Sequence, residues 1–397
     1  MAHKKTGIFK RAWIEIDLDA LAHNVHDIKS KIQSGCDIMA VIKADAYGHG
    51  VGRVAERLVR EGISTFAVAT LSEGAEVREY APESDILVLG YTHPADAKHL
   101  VKYRLAQLAS DAVHARALDE TGHKISIHVA IDTGMHRLGV EPMHFSDIES
   151  IYKSRNLTVV GTATHLASPD SLAESDIEFT ELQMERFITV VQRLRDKGYD
   201  VGKLHTQSSY AIYNHPDIDC DYVRPGIMLY GVHSQDDDTK VSTDLRPVLS
   251  LKALIAQVRQ IDKGESVSYG RIYTAKTPIM LATVSIGYAD GIPRNLTGHD
   301  GMCIVNGRKV PIIGRVCMDM LMLDVSEAGD VKAGDHAVFI GKVGDVEIRC
   351  EEFAEKAGTI TNEILCRLGA RLPRIYIEEL VGDAAEVQKE FVRRRLK

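Results

Sequence analysis

The sequence lacks several features that would place the protein outside the ordinary globular class. Its six cysteines show no CxxC pair and no Cys/His spacing typical of metal sites, so neither a disulfide framework nor a zinc centre is indicated. No apolar run approaches the roughly 20 residues of a transmembrane helix, and the first residues lack the apolar core of a signal peptide. We therefore expect a reduced, cytoplasmic protein with no membrane segment in this chain and no metal.

The chain also lacks an excess of positive charge. The 397 residues carry a formal net charge of −8, which leaves no basic field for nucleic acid or an anionic membrane surface, although local phosphate sites stay open. A chain of this length and apolar content suits two domains. We therefore expect a small-molecule substrate and no nucleic-acid partner.

Eight short apolar runs alternate with amphipathic segments over the first part of the chain. Runs of this length suit buried parallel strands, and the segments between them space their apolar residues as on one face of a helix. Eight such units predict an α/β protein with a closed parallel (β/α)8 barrel of the TIM type. An open doubly wound sheet is the alternative, but no GxGxxG motif follows an early strand. The predicted strands are 38–44, 65–70, 85–91, 104–110, 125–132, 157–166, 203–207 and 221–231.

The composition changes after a charged connector at 234–240. The segments that follow are rich in β-branched residues and punctuated by glycine, and the Asn-Gly pair at 306–307 is typical of a hairpin turn. A mainly β C-terminal domain is therefore expected. The predicted limits are 1–12 for an N-terminal arm, 13–239 for the barrel, 240–383 for the β domain and 384–397 for a charged tail.

Active sites of such barrels lie at the carboxyl ends of the strands. Lys43 follows the first strand, where partial desolvation would lower the pKa of its amine and favour Schiff-base chemistry, although a structural salt-bridged lysine fits this stretch equally well. The last two strand ends carry small and hydroxyl residues suited to a phosphate, namely Ser208, Ser209, Gly226 and Ile227. A lysine and a phosphate cradle at one barrel mouth meet the requirements of pyridoxal phosphate.

Six motifs resemble those of the alanine racemase family, in the family's order and over nearly the whole chain: AVIKADAYGHG (40–50), DTGMHRLG (132–139), RPGIMLYG (224–231), VSYG (267–270), GYADG (287–291) and GRVCMDM (314–320). The resemblance implies a pyridoxal-phosphate enzyme with a barrel followed by a β domain. It also implies a homodimer whose active sites are completed across the interface.

The resemblance implies roles for individual residues of this chain that match functional positions of the family. Lys43 matches the lysine that binds the cofactor and acts as one base, and Tyr269 matches an opposing base from the other subunit; inversion at Cα needs such groups on both faces. Arg224 matches the residue facing the pyridine nitrogen, with His165 holding it. The remaining matches are Tyr47, Ser209, Gly226 and Ile227 for the phosphate, Arg137 and Met318 for the substrate carboxylate, and Tyr288 for the entrance.

Two positions depart from the family pattern. Ala130 stands where many members have a lysine that braces the arginine matched by Arg137, and Asn362 stands where alanine racemases generally have a tyrosine. The second exchange resembles the serine racemases of vancomycin-resistant bacteria, whose catalytic half follows a membrane domain. Either a soluble relative or the cytoplasmic catalytic half of a membrane-anchored racemase fits the chain.

The expected function is interconversion of L- and D-alanine, and of L- and D-serine, which supplies D-amino acids for peptidoglycan precursors. The alternative to serine activity is that Asn362 replaces the tyrosine of an alanine racemase without any effect on substrate choice. A decarboxylase of the same architecture and a non-enzymatic pyridoxal-phosphate carrier are the other function classes.

Overall fold

The computed structural model describes residues 11–379, except for residues 236, 298 and 299. The predicted tail at 384–397 and nearly all of the predicted arm at 1–12 lie outside these residues. The described residues form two compact units: a barrel unit of residues 24–246 and 358–368, and a β unit of residues 11–23, 247–357 and 369–379. The described part begins with β1 (Ala12–Asp17) and α1 (Leu18–Lys31).

The barrel unit is built on a sheet of eight parallel strands. Neighbours pair in the order β8-β7-β6-β5-β4-β3-β2-β9, and the backbone N–H of Arg224 donates to the carbonyl of Gln207 at 2.8 Å, which joins the two ends of the sheet. The predicted barrel is therefore confirmed, with strands shorter than predicted. They are β2 (Asp37–Val41), β3 (Thr65–Val68), β4 (Asp85–Val88), β5 (Ala106–Ala109), β6 (Ile125–Ala130), β7 (Leu157–Ala163), β8 (Lys203–His205) and β9 (Tyr222–Val223).

The strands fold as predicted because they are apolar on both faces. Residues 38–41 of β2 are all at most 6% exposed, as expected for a parallel strand covered by the barrel core inside and by helices outside. The first connection, α2 (Lys43–Tyr47), is a left-handed turn. The helices between the strands are α3 (Val51–Arg60), α4 (Leu71–Tyr80), α5 (Ala97–Lys102), α6 (Ala112–Glu120), α7 (Phe145–Tyr152), α8 (Glu174–Asp196) and α9 (Ser209–Asn214), with short 3₁₀ helices at Pro94–Asp96, Pro142–His144 and Ile227–Tyr230.

The β unit is built on a nine-stranded sheet in the order β18-β17-β14-β15-β16-β13-β10-β1-β19, beside a hairpin of β11 and β12. The predicted hairpin at 306–307 is confirmed, since Asn306 and Gly307 both have positive φ, as a type I′ turn requires. The strands are β10 (Leu249–Ile261), β11 (Ser266–Val267), β12 (Tyr273–Thr274), β13 (Ile279–Val284), β14 (Met302–Val305), β15 (Arg308–Ile313), β16 (Leu321–Asp324), β17 (His336–Val343), β18 (Val346–Ile348) and β19 (Arg374–Ile377).

The helical parts of the C-terminal third are short. They comprise α10 (Cys350–Lys356) and α11 (Thr361–Arg367), and 3₁₀ helices at Tyr269–Arg271, Tyr288–Asp290 and Arg294–Leu296. No helix within the described residues is long and apolar enough to cross a membrane. Nor do those residues contain a group of three or more His, Cys, Asp or Glu side chains that could hold a metal ion.

The predicted domain limits assigned each of two segments to one domain, but in the structure each segment belongs to the other compact unit. The domain limits themselves stay predictions. Strand β1 belongs to the β unit, because Ile14 pairs with Leu251 of β10 and Ile16 with Tyr376 of β19. Helix α11 belongs to the barrel unit, where the N–H of Thr361 donates to the carbonyl of Ser234 at 2.9 Å.

The predicted eighth strand at 221–231 is too long, because β9 already ends at Val223. Pro225 cannot donate a ladder hydrogen bond, so the strand stops before it. The chain then turns into the 3₁₀ helix Ile227–Tyr230.

Candidate active site

A cavity of about 700 Å³ lies in the barrel unit at the carboxyl ends of the strands. Its lining includes every predicted site residue of the barrel unit, those expected from the strand ends and also Tyr47 and Asn362, which only the family resemblance had suggested. They are Lys43, Tyr47, Arg137, His165, Ser208, Ser209, Arg224, Gly226, Ile227 and Asn362.

Lys43 enters this cavity two residues after β2 ends at Val41. Burial is the main reason why the pKa of its amine is lowered, and the nearby positive charge of Arg137 lowers it further. Both effects disfavour the ammonium form. The amine is therefore closer to its nucleophilic, neutral state than a surface lysine would be.

The chain leaves Lys43 through a left-handed turn. Ala44, Asp45, Ala46 and Tyr47 all have φ between 53° and 54°, a conformation that costs about 1–2 kcal/mol per residue for amino acids with a Cβ. The surrounding structure must therefore hold the turn in place.

Glu73 holds that turn at its first residue. One carboxylate oxygen accepts a hydrogen bond from Ala44 N at 2.8 Å, and the other accepts from Ala69 N at 2.7 Å and Thr70 N at 3.1 Å. Ala44 follows Lys43, while Ala69 follows β3. The carboxylate of Glu73 thus connects, by hydrogen bonds, the segment after β2 with the segment after the neighbouring strand β3.

Arg224 is buried, with 6% of its surface exposed. Its Nη1 donates to His205 Nδ1 at 2.7 Å, and its Nη2 donates to His165 Nδ1 at 3.2 Å and to the carbonyl of Thr164 at 2.8 Å. Among the described residues the Nε–H has no hydrogen-bond partner, and Arg224 lines the cavity. The guanidinium therefore keeps a donor available for an acceptor in the cavity.

The histidines around Arg224 are held neutral. Burial, followed by the charge of Arg224, lowers the pKa of His165 to about 3 and of His128 to about 4, and lowers that of His205 well below its usual value. His205 accepts from Arg224 at Nδ1, so its Nε2 carries a proton and donates to His128 Nδ1 at 2.7 Å. Arg224 is thus fixed by acceptors that do not neutralise its charge.

The predicted phosphate residues meet on the side of Gly226. Ser209 Oγ accepts a hydrogen bond from Gly226 N at 2.9 Å. A Cβ added at Gly226 would come within 2.6 Å of the Tyr47 hydroxyl, so the backbone approaches the tyrosine as closely as it does because residue 226 is glycine. Hydroxyl and amide groups converge here, as a phosphate requires.

Three separate observations show that the residues of this cavity fit pyridoxal phosphate. Lys43 offers an amine whose pKa is lowered, Arg224 offers a donor without a partner to a ring nitrogen, and Ser209, Gly226 and Tyr47 form a cradle for the phosphate. The cavity is therefore suited to a flat ring with an aldehyde at one end and an anion at the other.

Asn362 and Arg137 line the cavity, and no hydrogen bond or ion pair among the described residues fixes the Oδ1 atom of Asn362 or the guanidinium of Arg137. The Oδ1 atom of Asn362 is buried and has no hydrogen-bond partner. No described residue forms a hydrogen bond or ion pair with the exposed guanidinium of Arg137, and Ala130, which lines the same cavity, has no polar side chain to offer it. Both side chains can therefore interact with a bound molecule.

Comparison with known proteins covers both units. The family model described as alanine racemase, N-terminal domain, matches residues 16–234, and the model described as alanine racemase, C-terminal domain, matches residues 248–376. The chain belongs to the alanine racemase family. This family of isomerases uses pyridoxal phosphate.

Two relatives illustrate the range of lengths in the alanine racemase family. An alanine racemase of Carboxydothermus hydrogenoformans is 40% identical over 369 residues, which are 92% of this chain and 99% of that protein. A serine/alanine racemase of Enterococcus gallinarum is 42% identical over 373 residues, which are 93% of this chain but 52% of that protein. The chain thus spans about half the length of this Enterococcus relative.

Solved structures of alanine racemases share the fold. One from Clostridium difficile 630 has a TM-score of 0.85 at 33% identity and covers 95% of this chain and 98% of its own. Another, from Bartonella henselae with covalently bound pyridoxal phosphate, has a TM-score of 0.82 at 29% identity, covering 92% of this chain and 99% of its own.

Three predicted site residues do not line the cavity, because they belong to the β unit. Tyr269, Tyr288 and Met318 are 69%, 41% and 53% exposed. Hydrogen bonds place their segments side by side, since Tyr288 N donates to Cys317 O and the Ser268 side-chain Oγ donates to Arg315 O. Together with exposed Ile272 and Met320 these three residues form what we call the β-unit patch.

Sequence reasoning missed Glu73, His128 and His205. Thr70 and Glu73 form a capping box at the start of α4, and the T-x-x-E spacing was a visible signal for that role. The structure shows that Gly161 on β7 leaves room for His128, since a Cβ there would lie 2.2 Å from His128 Nδ1, but the sequence does not show this proximity. The T-x-x-E spacing, in turn, does not show that Glu73 supports the site.

Proposed function

We propose that this chain is a pyridoxal-phosphate-dependent amino-acid racemase that interconverts L- and D-alanine and also L- and D-serine. The observation that carries this proposal is the pairing of Lys43, whose amine pKa is lowered, with the unpartnered Nε–H of Arg224 in one cavity. The proposed physiological role is the supply of D-amino acids for peptidoglycan precursors. A link to vancomycin resistance, and a cytoplasmic location, stay predictions.

Pyridoxal phosphate, when bound, makes the Cα–H bond of an attached amino acid acidic. Lys43 removes or returns the Cα proton at Nζ on one face. Arg224 would hold the ring nitrogen of the cofactor through its Nε–H, and it would keep its proton there, because its pKa, lowered to about 10 by burial, is still far above neutrality. A ring nitrogen that gains no proton would accept less charge from the substrate, which would disfavour side reactions.

Arg137 is placed to bind the substrate carboxylate. Its guanidinium is free of ion pairs among the described residues, and the segment that carries it is held by Asp132, whose Oδ1 accepts from Gly134 N and His136 N at 3.0 Å. The segment is therefore fixed although the side chain is not. A planar guanidinium pairs with a carboxylate through two hydrogen bonds.

The second base is proposed to be Tyr269 of the partner subunit in a homodimer. Inversion requires an acid/base group on the face opposite Lys43. The two tyrosines of the barrel cavity are poor candidates, since Tyr47 packs against Gly226 and Tyr210 donates to Asp237 and accepts from Ser234 N. The exposed apolar character of the β-unit patch supports an interface there.

Complementation tests the shared site. Lys43→Ala and Tyr269→Phe are each expected to be inactive, whereas subunits exchanged at random should regain about a quarter of the activity, because half of the dimers would hold one intact site. Recovery without subunit exchange, or an active monomer in sedimentation, would contradict the proposal.

Serine is proposed as a second substrate because of Asn362. Its buried Oδ1 without a partner can accept a hydrogen bond from the serine hydroxyl, which would end the cost of leaving a buried acceptor unsatisfied. The Enterococcus gallinarum relative is named a serine/alanine racemase, which supports this substrate.

A racemisation panel tests the function as a whole. We expect turnover of both enantiomers of alanine and serine, little turnover of larger amino acids, and no carbon dioxide release. Carbon dioxide without racemisation would identify a decarboxylase instead. Cofactor binding with neither reaction would identify a carrier.

A further inference from the structure

Two cysteine side chains face each other at the end of the barrel opposite the cavity. Cys36 immediately precedes β2, and Cys220 lies two residues before β9. Their Sγ atoms are 3.8 Å apart, and both are free thiols in the structure. The two sulfurs are thus in contact although 184 residues separate them in sequence.

The backbone around this pair is fixed by strand pairing. Asp37 is the register partner of Tyr222, and Asp37 N donates to Asp221 O at 2.9 Å. Cys36 therefore lies opposite Asp221, one residue beyond Cys220. A strand spacing of about 4.8 Å and a rise of about 3.3 Å place the two Cα atoms roughly 6 Å apart, which is within the range that disulfides span.

The two thiols differ in access. Cys36 is half-buried, whereas Cys220 is 7% exposed and its Sγ lies 3.2 Å from Gln207 Oε1, to which it donates. Contact with the Cys220 thiol lowers the pKa of the Cys36 thiol, while contact with Cys36 and burial raise the pKa of the Cys220 thiol. Cys36 is therefore the reactive, reachable sulfur, and Cys220 is the protected one.

We propose that Cys36 and Cys220 are a redox modification site, which forms a reversible intramolecular disulfide on reaction with low-molecular-weight disulfides. The Cys36 thiolate attacks one sulfur of the reagent R–S–S–R and releases one R–S⁻. The Cys220 sulfur, giving up its proton, then attacks Cys36 Sγ and displaces the second R–S⁻. Two protein thiols are oxidised, one reagent disulfide is reduced, and the two thiol protons end on the two R–S⁻ leaving groups.

The bond would close the barrel covalently at its amino-terminal end. Strand β2 leads to Lys43 and β9 leads to Arg224, so the strands that carry the two principal site residues would be joined. Cys220 would also lose the S–H that it donates to Gln207. Because the closed loop is long, the cross-link restricts the unfolded chain strongly.

The test is oxidation of the full-length protein with oxidised glutathione, followed by mass spectrometry. We expect the loss of two free thiols without an added glutathione at these positions, a cross-linked peptide pair that contains residues 36 and 220, and complete reversal by dithiothreitol. The thermal midpoint should rise by roughly 5–10 °C on oxidation.

Single variants separate the two roles. In Cys220→Ser, Cys36 should accumulate as a stable mixed disulfide with glutathione, and in Cys36→Ser, Cys220 should stay unreactive. Cys366→Ser removes an exposed cysteine of the same unit and should leave the cross-link intact. A wild-type protein that keeps glutathione on Cys36 while Cys220 stays reduced would overturn the proposal, and so would a cross-link to any other cysteine.

Discussion

The two units present their candidate site residues in opposite ways. In the barrel unit the side chains converge on one cavity, and Arg224 is fixed by histidine and carbonyl acceptors. In the β unit Tyr269 is 69% exposed, in a patch of exposed apolar side chains. Strand pairing and the turn that Glu73 holds assemble the proposed cofactor half of the site within one unit, whereas the proposed second base needs a surface from another molecule to define its surroundings.

The largest expected effect is that of removing Lys43, on the barrel side of this comparison. Lys43→Ala should lower racemisation at least about 1,000-fold, because both the covalent attachment point and one base are lost. It should also remove the near-visible absorbance of the lysine-bound cofactor. Lys203→Ala, at the other end of a barrel strand, is the control and should retain both. Persistence of the absorbance in Lys43→Ala would mean that another lysine holds the cofactor.

Tyr269 tests the other side of the comparison. Tyr269→Phe should lower kcat by about 10²–10⁴-fold, which is typical of losing a general acid or base, while cofactor binding is unchanged because the barrel cavity is untouched. Tyr91→Phe, an exposed tyrosine of the barrel unit, should have little effect. Full activity in Tyr269→Phe would rule out the proposed base.

Acid should weaken the barrel unit through its buried histidines. The pKa of His128 is lowered to about 4 and that of His165 to about 3 in the folded state, while unfolded histidine titrates near 6.5. Their stabilising contribution is therefore complete above about pH 6.5. It should fall by about 1.4 kcal/mol per pH unit and histidine as the pH is lowered towards 4.

Urea unfolding at several pH values measures this effect. Far-UV circular dichroism follows mainly the barrel helices, and the fluorescence of Trp13, the single tryptophan, follows the β unit. His128→Gln should flatten the acid dependence of the dichroism signal. An unchanged slope in that variant would show that His128 does not stay neutral in the folded barrel.

The smallest expected effect concerns substrate choice. Asn362→Tyr should lower the ratio of kcat/KM for L-serine to that for L-alanine by up to about tenfold, since one hydrogen bond contributes about 0.5–1.5 kcal/mol. Asn362→Ala removes the hydrogen-bond acceptor without adding an aromatic ring. It therefore distinguishes the loss of the hydrogen bond from the steric effect of the tyrosine ring. If the wild type and both variants had the same ratio of kcat/KM for L-serine to that for L-alanine, Asn362 would not determine the preference between these substrates.

The sequence predicted the strand-end residues of the barrel because burial leaves a local signal. The run before Lys43 is apolar on both strand faces, and the order of eight such runs sets which ends meet. The pairing of β1 with β10 and β19 was not predicted, since it joins segments far apart in the chain. The contact of His128 with His205 depends on register across neighbouring strands, which apolar periodicity does not specify.

The carboxylate of Glu73 has a consequence for how this barrel can be redesigned. The βα loops of such barrels are commonly regarded as replaceable modules on a constant scaffold. Here the first turn of α4, which follows the loop after β3, carries Glu73, the anchor of the strained turn that begins beside Lys43. A transplanted segment that replaces this loop and the start of α4 without the glutamate would release the neighbouring turn, so the segments after β2 and β3 must be exchanged together.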